Sequence, residues 1–272
     1  MSFIWNESEI NSFLDPYDAY LSTNLLLNTP NQICEIGVYR GAWVLCFLNN
    51  HPSSSILAID PYPGLEDVKK LFLSQIESLG FKENVTLVDD LNHRTNLFFD
   101  LVHIDGEHTE RAILRDIYFA LKHLADRGAI VIDDIWHPLF PGITSGVMKV
   151  VHESDLVPFL STRNKMWLCR TRDYEAFFER SLFILDQKGI GYTTGVVRGD
   201  EITGTQEKHT YDISNAIRGF TQIVVQRVTR YEQLINLGLR KKSANEKTKS
   251  FVKQWTPPIF LNLLKKLKTQ HD

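Results

Sequence analysis

Between Asn31 and Asp134 the chain alternates short β-branched runs with longer stretches of helical period, and no feature limits the accessible folds more. The runs are Gln32 to Ile36, Ser55 to Ile59, Asn84 to Val88, Asp100 to Ile104 and Ala129 to Ile132. Unbroken apolar stretches such as ILAI and AIVI suit strands covered on both faces, as in a parallel sheet flanked by helices. The segment Thr109 to Ala125 repeats apolar residues at Ile113, Ile117, Leu121 and Leu124, which predicts an amphipathic crossover helix. Helices are further expected at Ser145 to Val151, Asp173 to Asp186 and Arg230 to Leu239, and strands at Lys165 to Cys169 and Phe220 to Val228. Residues 189–218 lose all period and read as a long loop or insertion. The expected fold class is α/β, a Rossmann-like, doubly wound and mostly parallel sheet, with an insertion within 173–218 and a C-terminal helical tail.

Bulk properties narrow the function. Apolar residues at 43% and charged residues at 23% are ordinary for a globular chain, and 272 residues suffice for one large α/β domain. No apolar run approaches the roughly 20 residues of a membrane span, and no basic-apolar leader opens the chain, so a cytoplasmic protein is expected. Cys34, Cys46 and Cys169 are widely spaced and form no C-x-x-C pair, which argues against a disulfide framework or a zinc site. The net charge of −3 conceals nine Lys and Arg against two acids in residues 237–272, so an acidic body precedes a basic tail. An acidic body excludes nucleic acid as the main ligand. The domain reading is therefore one unit over 1–236, with a tail over 237–272. In the tail, Ile259, Phe260, Leu263, Leu264 and Leu267 line one helical face beside Lys265, Lys266 and Lys268. That face calls for docking on the domain or on a second copy in a homodimer, with peripheral contact to an anionic membrane as the alternative.

Three motifs carry chemistry. In Glu35-Ile36-Gly37-x-x-x-Gly41 a strand enters a glycine turn and then a helix, which lets a ligand approach the backbone near free N–H groups. Asp60 ends the next strand 25 residues after Glu35, where a carboxylate accepts ribose hydroxyls, so an adenosine-containing cofactor is implied. Glu35 would repel a pyrophosphate but tolerate the ammonium of S-adenosylmethionine, and the G-x-G of nicotinamide sites is missing. The third motif pairs His103-Ile104-Asp105-Gly106-Glu107-His108 with Gly128-Ala129-Ile130-Val131-Ile132-Asp133-Asp134. Two neighbouring strands thus end in carboxylates suited to a hard cation such as Mg²⁺.

From Glu35 to Asp134 the sequence resembles class I S-adenosylmethionine-dependent methyltransferases of the macrocin O-methyltransferase-like, metal-dependent, small-molecule group. The resemblance implies a seven-stranded sheet ending in an antiparallel hairpin, a methyl donor held by Glu35, Gly37, Gly41 and Asp60, and Mg²⁺ held by Asp105, Asp133 and Asp134. It implies adenine contact at Asp89 or Asp90, and a hydroxylated small-molecule acceptor, a sugar or glycan unit ahead of a phenol. The span from Asp90 to Asp100 is short for a full crossover helix. His108 and His137, each three residues past a site carboxylate, are the imidazole candidates for the base, with Asp105 their rival. His103 reads as core packing, and Trp43, Tyr62 and Trp136 as pocket walls or plain packing. The alternatives are a metal-independent methyltransferase and a non-catalytic nucleotide-binding partner protein.

Overall fold

In the computed structural model the described residues are 4, 14–93, 95–198, 220–228 and 230–239. They divide into two compact units, one reaching Arg230 and one beginning at Tyr231. The expected tail helix lies outside the described residues, as does the 199–218 part of the expected insertion.

The first unit contains strands β1 (Gln32–Ile36), β2 (Ser55–Ile59), β3 (Val85–Val88), β4 (Phe99–Ile104), β5 (Leu124–Ile132), β6 (Leu156–Ser161), β7 (Met166–Arg170), β8 (Tyr192–Arg198) and β9 (Phe220–Val225). Its helices are α1 (Pro16–Asn24), α2 (Ala42–Asn50), α3 (Glu66–Ser78), α4 (Glu110–Lys122), α5 (Pro141–Glu153) and α6 (Tyr174–Lys188). One further helix, α7 (Arg230–Asn236), lies at the start of the second unit.

All nine strands join one sheet in the order β3-β2-β1-β4-β5-β7-β6-β9-β8. The pairs among β3, β2, β1, β4 and β5 are parallel, and β7 runs antiparallel to both β5 and β6. This is the expected doubly wound sheet with its antiparallel hairpin. It is two strands wider than the seven expected: β6 is not among the expected strands, and Tyr192–Arg198, read as loop, pairs antiparallel with β9, the strand expected from Phe220, which lies parallel to β6. The run Tyr-Thr-Thr-Gly-Val-Val gave no period-2 signal because glycine and threonine interrupt its apolar positions.

Two other boundaries differ. The helix expected to reach Ala125 stops at Lys122, and Leu124 already pairs with Phe99 in β5. His123 ends the helix, and its backbone carbonyl accepts from Phe99 N at 2.7 Å, so Leu124 fills the core from a strand. Helix α1 escaped the sequence reading because all of Pro16 to Thr23 is buried, which leaves no polar face and hence no amphipathic stripe. Its start is well specified: Asp15 caps Tyr17 N at 2.9 Å and Pro16 occupies the first turn. No helix is described between β3 and β4, in line with the short Asp90 to Asp100 span.

The core lies between the sheet and the helices, with Ile36, Ile104, Ile113, Ile117, Ile130, Ile132 and Val147 among its buried members. Helix α1 packs on α2 and α4 on α5. The three cysteines are buried and free. Among the described residues no helix is long and apolar enough to cross a membrane. The parallel strands β1, β2, β4 and β5 end on one side, and every chemistry-bearing motif of the sequence is gathered there.

Candidate active site

The glycine turn after β1 is fixed by close backbone approach. Gly37 has φ +83°, and a Cβ there would stand 2.0 Å from the Asp105 carbonyl oxygen. Asp105 N donates to Ile36 O at 2.7 Å and Gly37 N to Ile59 O at 2.9 Å, so the ends of β1, β2 and β4 are laced together. Gly41, at φ +71°, leaves no room for a side chain against the Phe72 ring. Between them Tyr39 is left-handed at φ 48°, a conformation that costs a non-glycine residue and recurs at functional turns.

Asp60 holds that turn in place. Its Oδ2 accepts from Val38 N and Tyr39 N, both at 2.9 Å, and its Oδ1 from Tyr62 N at 2.7 Å. Tyr62 Oη donates to Tyr39 O at 2.8 Å and completes the knot. The carboxylate retains acceptor capacity toward a ligand. It faces a cleft of about 520 Å³ together with Gly37, Tyr39, Asp89, Asp90, Asp105 and Gly106. On the far wall Asp89 pairs with Lys69 at 2.9 Å, and Asp90 accepts from Asn92 N at 2.6 Å.

A second cavity of about 380 Å³ opens on the other side of Tyr39 and Asp105. Here Asp105, His108 and Asp134 converge, with ligand atoms all within 4.8 Å of one another. His108 Nε2 lies 3.6 Å from Asp105 Oδ1 and 3.5 Å from Asp134 Oδ2, in ion-pair range of both and hydrogen-bonded to neither. Burial, reinforced by Asp133, pushes Asp105 up to about 6, and the same causes in the same order raise Asp134. Pairing with Asp105 raises His108 above the ordinary imidazole value. Asp134 adopts φ 52°, which turns it away from its neighbour.

Asp133 points the other way. Its Oδ1 accepts from Asp134 N at 2.8 Å and its Oδ2 from Lys165 Nζ. Lys165, 1% exposed, also lies 2.8 Å from His103 Nε2. His103 Nδ1 in turn is 2.9 Å from Glu35 Oε1, and Trp43 stacks on the imidazole at 4.5 Å. The other Glu35 oxygen, Oε2, is buried without a partner. Burial, with Asp105 adding to it, pushes Glu35 well above the carboxylate range, while burial and Lys165 hold His103 well below the imidazole range. Burial alone would lower Lys165, but Asp133, Asp105 and Asp18 outweigh it and the ammonium is strengthened. Buried Asp18, on α1, stands behind Lys165, raised by its own burial and by Asp15.

Every residue that the sequence assigned to the donor is brought to the first cleft or its supports, except Glu35, which lines the second cavity with Trp43. His137 is absent from both cavity walls: it accepts from Leu139 N at 3.3 Å and stacks on Phe140. Trp136 is about half exposed, with Nε1 donating to Ser161 Oγ at 2.8 Å. Lys165, Asp18 and Asn164 were missed. A lysine opening the apolar run Met166-Trp167-Leu168-Cys169 was the one available sign, since a cation at the mouth of a buried strand needs an acid opposite.

Residues 34–135, a little over a third of the chain, match the family model described as a methyltransferase domain. No curated protein matches the chain. Among solved structures, the chain is similar to the S-adenosylhomocysteine-bound methyltransferase PaMTH1 of Podospora anserina, with 14% identity over 60% of this chain and 80% of that one and a TM-score of 0.50. It also aligns with the O-methyltransferase TomG of Streptomyces achromogenes, solved with the methyl donor, at 17% identity over 57% and 79% of the two chains and a TM-score of 0.46. CalS11, a TDP-rhamnose 3'-O-methyltransferase of calicheamicin biosynthesis, aligns at 16% over 56% and 77%, with a TM-score of 0.45. Sheet order and glycine turn agree with the methyltransferase domain that residues 34–135 match.

Proposed function

We propose that the protein methylates a hydroxyl of a small polyhydroxylated acceptor, a sugar or glycan unit ahead of a phenol, with help from a divalent cation. The observation that carries this reading is the shared wall: Tyr39 and Asp105 line both the 520 Å³ cleft and the 380 Å³ cavity, so a donor in one meets an acceptor in the other. The first cleft suits the donor. Gly37 forms a cradle that a Cβ would fill and Asp60 offers acceptor lone pairs to a ribose, while Glu35, on the wall of the second cavity, presents an unpartnered oxygen to the ammonium of a methionine end that reaches past Tyr39. When bound, S-adenosylmethionine supplies an electrophilic methyl group on a sulfonium. The polar atoms of Asp105, His108, Asp133, Asp134 and Asn164 around the second cavity favour a polyol over a flat apolar ring.

Asp105 and Asp134 fit a hard cation, since Mg²⁺ is commonly bound through one or two carboxylates with water and substrate oxygens completing its shell. Burial and the neighbouring Asp133 raise both acids. Such an ion, when bound, would acidify the acceptor hydroxyl. Asp133, engaged by Lys165, supports this pair from behind. His108 Nε2, between the two carboxylates, takes the hydroxyl proton, and both acids stabilise the resulting imidazolium. His137, turned toward the α5 entry, is the weaker candidate. A metal-independent reading is favoured by Lys165, which already gives the cluster an internal cation.

Incubation with methyl-labelled S-adenosylmethionine and panels of nucleotide sugars and catechols tests the reading. Label is expected in a sugar hydroxyl, with turnover lost in EDTA and restored by Mg²⁺ or Mn²⁺. Turnover unaffected by EDTA would select the metal-independent reading, and label only in catechols would overturn the sugar preference.

A further inference from the structure

Lys165 is the buried charged group for which methyl transfer has no obvious use. It sits in the turn between β6 and β7, and that turn is tied down on every side. Thr162 N donates to Lys165 O at 2.9 Å, Lys165 N to Thr162 Oγ1 at 3.1 Å, and Ile135 N to Asn164 O at 3.0 Å. Ser161 Oγ, which Trp136 holds at 2.8 Å, reaches Lys165 O at 3.3 Å. The backbone therefore presents the lysine stem at a fixed point. From there the ammonium meets Asp133 Oδ2 and His103 Nε2.

The hydrogen-bond geometry along this chain orders donors and acceptors. An ammonium has only donors, so His103 Nε2 must be a bare acceptor. A neutral ring then carries its proton on Nδ1, which donates to Glu35 Oε1 at 2.9 Å. Trp43 stacks nearly parallel to the imidazole, at 7°, and covers one face of the ring whose nitrogens face Lys165 and Glu35. Glu35 is left with Oε2 alone, buried, unpartnered and on the cavity wall.

From this juxtaposition we infer that Lys165 is a positioning residue for the methyl donor: through the tautomer of His103 it fixes Glu35 so that its one free oxygen receives the amino group of the donor's methionine part. The inference rests on the donor reading above and adds a residue 130 positions beyond Glu35, outside the matched domain. The effect of Lys165 is confined to the amino-acid end of the donor, since Asp60 and the Gly37 turn hold the adenosine end without it.

Two measurements test this on the full chain. In the wild-type protein, ¹⁵N spectra of labelled histidine should show His103 protonated on Nδ1, the rarer tautomer in water, and a proton on Nε2 would overturn the inference without any variant. By calorimetry, Lys165→Met should weaken S-adenosylhomocysteine about tenfold or more, yet leave 5'-methylthioadenosine, which lacks the amino-acid part, within about twofold. Equal losses for both ligands, or no loss for either, would refute the positioning role. Failure of the wild type to bind either ligand would instead sink the donor reading itself, and the His103 spectrum would still decide the tautomer.

Discussion

The two cavities that meet at Tyr39 and Asp105 are built on opposite principles. The cleft proposed for the donor is shaped by backbone: Gly37 and Gly41 let strands and rings come close, and the oxygens of Asp60 accept from three main-chain amides. The cavity proposed for the acceptor is shaped by charge, with Asp18, Asp105, Asp133 and Asp134 set against Lys165 and His108. A backbone cradle tolerates almost no substitution because its geometry is covalent. A charge cluster is held by balance, so removing one member redistributes the others.

The sharpest way to break this contrast is Gly37→Ala. A methyl 2.0 Å from the Asp105 carbonyl, on a residue at φ +83°, must move the β4 end. Stability should fall by about 3 kcal/mol or more in urea unfolding, and S-adenosylhomocysteine binding should vanish. A folded variant with wild-type affinity would show that the cradle is not where the donor lies.

A smaller effect is expected from Asp60→Ala, because the glycines still shape the cleft. Calorimetry should record a loss of about 1 to 3 kcal/mol in S-adenosylhomocysteine affinity, from the ribose and the loosened amides together. An affinity unchanged beside a lowered melting temperature would leave Asp60 a purely structural knot.

The smallest effect concerns charge. Asp105 is shifted up from 3.8 to about 6, so the folded state binds its proton more tightly than the unfolded chain does. The stabilisation this provides is complete below about pH 4 and is lost as pH rises through 6. In EDTA, Asp105→Asn should therefore match the wild type in melting temperature at pH 4 and exceed it at pH 8. A variant less stable than the wild type at pH 8 would mean that pairing with His108 outweighs the repulsion.

The same contrast explains what could be read from the sequence. Strands Gln32–Ile36 and Ser55–Ile59 lie where their apolar runs placed them, and the donor turn lies in one contiguous motif, because backbone geometry is written locally in glycines. The proposed acceptor side depends on Lys165, from the β6–β7 turn, and Asp18, from helix α1, and no local pattern announces such a meeting. Helix α1 carried no stripe because it is buried all round. His103 was rightly placed in the core, but packing is only part of its surroundings: both its nitrogens are engaged. Asp133 and Asp134 are adjacent and chemically identical, and only the φ of 52° at Asp134 separates their directions.

The shared wall also bears on how acceptor range could change. Under the proposed function a substitution at Tyr39 or Asp105 alters two binding events at once, so selection for a new acceptor there is constrained by retention of the donor. Leu14 and Asn164 border only the second cavity, one from the segment before α1 and the other from the β6–β7 turn. New substrate preferences should therefore arise, in directed evolution as in nature, by replacements at those two positions while the wall between the cavities stays as it is.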